Sequence, residues 1–78
     1  MDLGKYLIKQ DWHYNPEGFF YKHVGTVKYV LQFDRKMLYI FKFIKLEDNQ
    51  GLQVNSESVY QGRYNDKTIK IILKNVIR

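Results

Sequence analysis

The sequence predicts an all-β protein, and three observations carry that prediction. Aromatic residues make up 17% of the chain: seven Tyr, five Phe and one Trp. Runs rich in Tyr, Phe, Val and Ile are divided by Asn-Pro, Gly and Asn-Asp turn signals. Within several runs apolar and polar residues alternate, the period-two pattern of half-buried strands. The expected architecture is a single small domain over residues 1–78. It is a five-stranded antiparallel meander, curled into a small barrel or packed through one face of a sheet.

Length and composition bound what such a chain is able to do. A domain of this size buries only about 60–65% of the surface its unfolded form exposes. There is no Cys, so neither a disulfide nor a thiolate zinc site supplies stability. Aromatic packing, at roughly 150–250 Å² buried per ring, or self-association has to do so. An apolar fraction of 45% argues against disorder. The start "MDLGKYLIKQ" lacks a basic segment followed by an apolar run, so no secretory leader is expected. No apolar stretch nears the roughly 20 residues that span a bilayer, so membrane insertion is not expected either. With no Cys and no N-x-S/T sequon, the expected location is intracellular, in the cytoplasm. The initial Met leads us to expect a whole gene product.

Each element follows from its punctuation. Asn15-Pro16-Glu17-Gly18 has Pro presetting φ at the second position and Asn at the first, the pattern of a type I turn. Closing Asn15 onto Gly18 sets Tyr14 opposite Phe19, Trp12 opposite Tyr21 and Asp11 opposite Lys22. Alternation then places Trp12, Tyr14, Phe19, Tyr21 and His23 on one face. Asp11, His13, Phe20 and Lys22 take the other, which keeps His13 and His23 from sharing a metal. The run "FFYKHVGTVKYVLQF" is longer than the roughly ten residues at which strands usually end, so Gly25 is predicted to bend it. Asp34-Arg35-Lys36 reverses the chain into "MLYIFKFIK", apolar on both faces and therefore central. A polar loop from Glu47 to Gly51 leads into "LQVNSESVYQGRY", and Asn65-Asp66 suits a tight hairpin. The closing "KTIKIILKNVI" alternates, with Ile69, Ile71, Leu73 and Ile77 inward and Lys70, Lys74 and Arg78 outward. Leu3 to Gln10 is the best helical candidate, with Gly4 and its short length counting against it.

Motifs for catalysis are missing. The sequence has no phosphate-cradling Gly-rich loop, no Walker pattern and no H-E-x-x-H. Ser56 and Ser58 flank Glu57 with no His near in sequence, and exposed polar strand positions explain them. Asp11 and His13 at i, i+2 resemble a base with its orienting carboxylate, yet no nucleophile stands beside them. Packing against Phe20, with Asp11 paired to Lys22, is the simpler account. His23 as a pH sensor gives way to a plain rim position. No enzyme activity, cofactor or metal site is expected.

Binding is the expected mode of action. The net charge is +5, and Lys67, Lys70, Lys74 and Arg78 close the chain without an acid among them. A small sheet has few interior positions, so some of its Tyr and Trp must lie near the surface, where such residues mark protein interfaces. The leading expectation is an inhibitor or regulatory accessory factor acting through protein contact, foreign or self, with Trp12, Tyr14 and Tyr21 as anchors. The alternative is a nucleic-acid-binding protein with a basic outer face built from Lys22, Lys28, Lys70, Lys74 and Arg78, with Tyr60 or Tyr64 near it. The stretch "YQGRYNDKTIKIIL" resembles the final hairpin of β-meander proteins, small lipocalin-like domains among them. That resemblance covers about a fifth of the chain and implies a closing hairpin, not a function.

Overall fold

In the computed structural model, residues 2–48 and 51–77 are described, with the backbone alone described for residues 46–48, 52 and 53. The chain runs α1 (Leu3–Lys9), β1 (His13–Asn15), β2 (Phe19–Val24), β3 (Val27–Asp34), β4 (Met37–Asp48), β5 (Gly51–Arg63) and α2 (Thr68–Val76). The strands make one five-stranded antiparallel sheet in chain order, the expected meander, open between its edges β1 and β5. Its membership differs from expectation: a helix precedes the sheet and a helix replaces the predicted last strand. Residues 49, 50 and 78, on which parts of the predicted polar loop and the predicted basic terminus fall, lie outside the described residues.

Helix α1 forms in spite of Gly4 because both of its ends are satisfied. The Asp2 carboxylate accepts from the Lys5 backbone N–H at 3.2 Å, an N-cap that serves one of the helix's unpaired donors. At the other end Trp12 N–H donates to the Leu7 carbonyl at 3.0 Å and Asp11 N–H to that of Ile8 at 3.1 Å. With Asp11 at φ +68°, this is a Schellman motif whose hydrophobic contact joins Leu7 to Trp12. Leu7 is fully buried and Trp12 is 3% exposed. Trp12 is thus core, which corrects its expected role as a surface anchor.

The turns decide the register. Gly18 N–H donates to Asn15 at 2.9 Å, as a type I turn requires, and the Asn15 side chain accepts from Glu17 N–H at 2.8 Å. Pairing nevertheless resumes at Asn15 with Phe19, so Tyr14 faces Phe20 and His13 faces Tyr21. Gly18, at φ +109°, absorbs the extra residue, since a type I turn twists the wrong way for a two-residue hairpin. The arms are therefore one step out of the predicted alignment, and His13 shares a face with Tyr21. Gly25 likewise does more than bend a strand. At φ +62° it opens a two-residue reversal with Thr26, pairing Val24 with Val27. Between β4 and β5 the strands run through Asp48 and from Gly51, so Glu47 and Asp48 belong to a strand and not to a loop.

The C-terminal segment is helical because its caps and its spacing agree. Asn65 Oδ1 accepts from Thr68 N–H at 2.9 Å, and Thr68 Oγ1 accepts from Asn65 N–H at 2.8 Å. This reciprocal pair works as a capping box. Ile69, Ile72, Leu73 and Val76 then recur at helical spacing and pack on the sheet. Ile71, expected inward, is 60% exposed. The hairpin implied by the lipocalin-like resemblance is accordingly a strand followed by a helix.

Both helices cover the same face of the sheet. Leu7 and Trp12 from the N-terminal side, with Ile69 and Leu73 from α2, close on Tyr29, Leu31, Leu38 and Ile40. A bulge in β5 leaves Val59 out of the pairing between Ile40–Tyr60 and Phe41–Ser58, and both Val59 and Tyr60 pack against this core.

Three stability outcomes follow, each read from a urea unfolding midpoint. Trp12→Ala lowers stability by about 3–5 kcal/mol. Asn65→Ala lowers it by about 1 kcal/mol through the lost cap. Asp11→Gly raises it by up to about 1 kcal/mol, because glycine takes the left-handed conformation without steric cost.

Candidate functional site

Covering one face leaves the other bare: among the described residues, no element packs over it. The register fixes what that face presents. On β2 it receives Phe19, Tyr21 and His23, and on β3 Val30 and Lys28 lie opposite Tyr21 and His23, with Gln32 next along that row of β3. On β4 Tyr39, Phe41 and Phe43 continue the same rows, and on β5 Ser58 and Ser56 end two of them. The aromatic side chains are half-buried, shielded by one another and by the strands. Val30 at their centre is 8% exposed although no helix covers it.

Tyr21 organises one end of this surface. Its ring stacks on His13 at 5.3 Å between centroids, with Phe19 tilted at 6.3 Å and His23 edge-on at 6.0 Å. The Lys28 ammonium lies 5.1 Å from the same ring, a distance at which a cation is attracted to an aromatic face. Beside this cluster runs a groove of about 830 Å³. Phe19, Val30, Phe43 and Val54 give it apolar walls, and His23, Lys28 and Lys45 give it basic ones. No carboxylate lines it among the described residues. Asp34 lines a separate hollow with Gln32, Tyr39 and Phe41.

The predicted anchors end up apart. Tyr21 is on the bare face. Tyr14 is 56% exposed, but it shares the helix-covered side with Phe20, its ring partner at 5.1 Å. Trp12 is inside. Its predicted separation from Lys22 also fails: the Lys22 ammonium lies 6.0 Å from the Trp12 ring and donates to the Gln10 carbonyl at 2.9 Å. Lys22 therefore helps to close the core.

The lysines likewise form two groups where one stripe was expected. Lys22, Lys70 and Lys74 line a crevice of about 390 Å³ together with Tyr6, over whose ring Lys70 sits at 5.1 Å. Lys28 is on the opposite side of the sheet. The two-residue turn at Gly25 and Thr26 is the reason, because it inverts the parity that Lys22 and Lys28 would share in one continuous strand. Arg78 lies outside the described residues. Tyr60 and Tyr64 pack against the core, away from the bare face.

Phe41, Phe43 and Lys45 were not singled out from the sequence, where "MLYIFKFIK" reads as apolar on both faces. A signal is nonetheless present. Aliphatic Leu38 and Ile40 occupy the parity that meets the helices, and aromatic Tyr39, Phe41 and Phe43 the other. Chemically the surface offers rings, ammonium groups and an apolar trough, a set suited to non-covalent recognition. Among the described residues no group of His, Asp and Glu is placed to hold a metal ion, and no helix is long and apolar enough to cross a membrane. Comparisons with protein-family models, with curated proteins and with solved structures find no match to this chain.

Proposed function

We propose that this chain is a non-enzymatic binding protein that regulates or inhibits a partner protein held against the bare face of its sheet. The reading is carried by Tyr21, Phe41 and Phe43, half-exposed rings on a face that no described element covers. Aromatic side chains bring large contact areas at low cost in rotamer freedom, which is why they dominate interface energetics. Burying the remainder of these rings under a partner releases hydration water and supplies the affinity. The cysteine-free composition fits action inside the cell, in the cytoplasm.

Nucleic-acid binding is the second reading, because Lys28 and Lys45 are interleaved with rings on which bases stack. The distribution of charge favours protein. Lys22, Lys70 and Lys74 gather on the helical side, so these three phosphate-neutralising groups stand apart from the stacking surface.

The test is retention from a source-cell lysate on the immobilised chain, with and without nuclease. The expected result is a nuclease-resistant protein, lost on Tyr21→Ala/Phe43→Ala and kept on Lys70→Ala/Lys74→Ala, both variants still unfolding cooperatively. Retention that nuclease abolishes, or that ignores the aromatic substitutions, would overturn the proposal.

A further inference from the structure

The groove also identifies its occupant by charge, on the reading that the bare face is a protein-contact surface. We infer that it takes an acidic, amphipathic peptide segment of the partner, with carboxylates meeting Lys28 and Lys45 and apolar side chains filling the trough between Phe19 and Phe43.

Lys28 is the register partner of Phe43, and Lys45 follows two residues further along the same strand. Phe43 is thereby flanked by two ammonium groups, with His23 opposite Lys28 on the other side. The Tyr21 ring holds Lys28 over the face at 5.1 Å, and Lys45 is exposed. With no carboxylate among the described lining residues, those residues present positive charge alone, and a cleft lined by one sign concentrates ligands of the other.

A second copy of the chain is a poor occupant. With the two grooves laid directly over one another, two molecules would bring the same lysines together, and like charges facing one another across an interface are unfavourable. A purely apolar segment would leave the ammonium groups partly desolvated and unpaired. An acidic amphipathic segment satisfies both constraints. The lining residues run from β2 to β5, roughly 14 Å at the usual strand spacing, which is the reach of about four or five extended residues. Exposed ion pairs contribute little to affinity, so the rings hold the segment and the lysines select it and speed its arrival.

The experiment is selection of a random displayed peptide library on the full-length chain, followed by fluorescence titration of the enriched peptides. Enrichment of Asp or Glu together with Phe, Leu or Trp is expected. Affinity should fall by about tenfold or more in Lys28→Glu/Lys45→Glu and stay unchanged in Lys70→Glu/Lys74→Glu. If the charge reversal fails to fold, Lys28→Gln/Lys45→Gln should still weaken binding, as should moderate salt. Neutral or basic peptides that lose binding in Phe43→Ala would overturn this inference and leave the protein-contact reading standing. An absence of enrichment, or displacement of the acidic peptides by single-stranded oligothymidine, would overturn both.

Discussion

The molecule depends on the sealing of one sheet face by two short helices. Helices of seven and nine residues are too short to persist alone in water, and a sheet with an uncovered apolar face would associate or aggregate. Each therefore needs the other. The contact is made by a few side chains: Leu7 and Trp12 at the end of α1, Ile69 and Leu73 one turn apart on α2, and Leu31, Leu38 and Ile40 beneath them. The Schellman motif is the device that couples local to tertiary structure. The same hydrogen bonds that end α1 turn the chain so that the Trp12 ring enters the core.

One-sided sealing determines what is left for function. On β4 the two faces carry different chemistry. Leu38 and Ile40 meet the helices, where close packing at interior density is required. Tyr39, Phe41 and Phe43, with basic or polar neighbours on the adjoining strands, occupy the bare side, where partial exposure has to be tolerated in the free protein. Rings that shield one another, as Phe19, Tyr21 and His13 do, reduce the apolar area the molecule shows to water. Charge is divided by the same geometry. Reversal at Gly25 sends Lys22 to the helical side, over the Trp12 ring, and Lys28 to the bare side, over the Tyr21 ring.

How much of this was legible in the sequence depends on the kind of signal. Strand content and the meander were readable because β-branched and aromatic runs separated by Gly, Pro and Asn are a composition-level signal. The type I turn at Asn15–Gly18 was readable for the same reason. Register was not, because it hangs on whether Gly18 pairs or bulges, a choice made by backbone twist. The strand reading of Trp12 fails for a separate reason: the residue closes the cap of α1 and lies outside the hairpin. The C-terminal segment was misread since Ile69 and Leu73 fit both a period of two and a period of 3.6. The Asn65 and Thr68 capping pair, present in the sequence, should have decided in favour of helix. The bare face itself was only half visible: its aromatic surplus could be counted, whereas the side of the sheet left open is a consequence of where the helices dock.

The claim that one face is sealed and the other open is tested most directly by solvent paramagnetic relaxation, measured on methyl and aromatic carbons with a soluble probe. The account predicts strong enhancement for the rings of Tyr21, Phe41 and Phe43 and weak enhancement for Trp12 and the methyl groups of Leu7, Leu31, Ile40 and Ile69. Equal protection of the two sets, or a Trp12 ring as accessible as Tyr21, would contradict it.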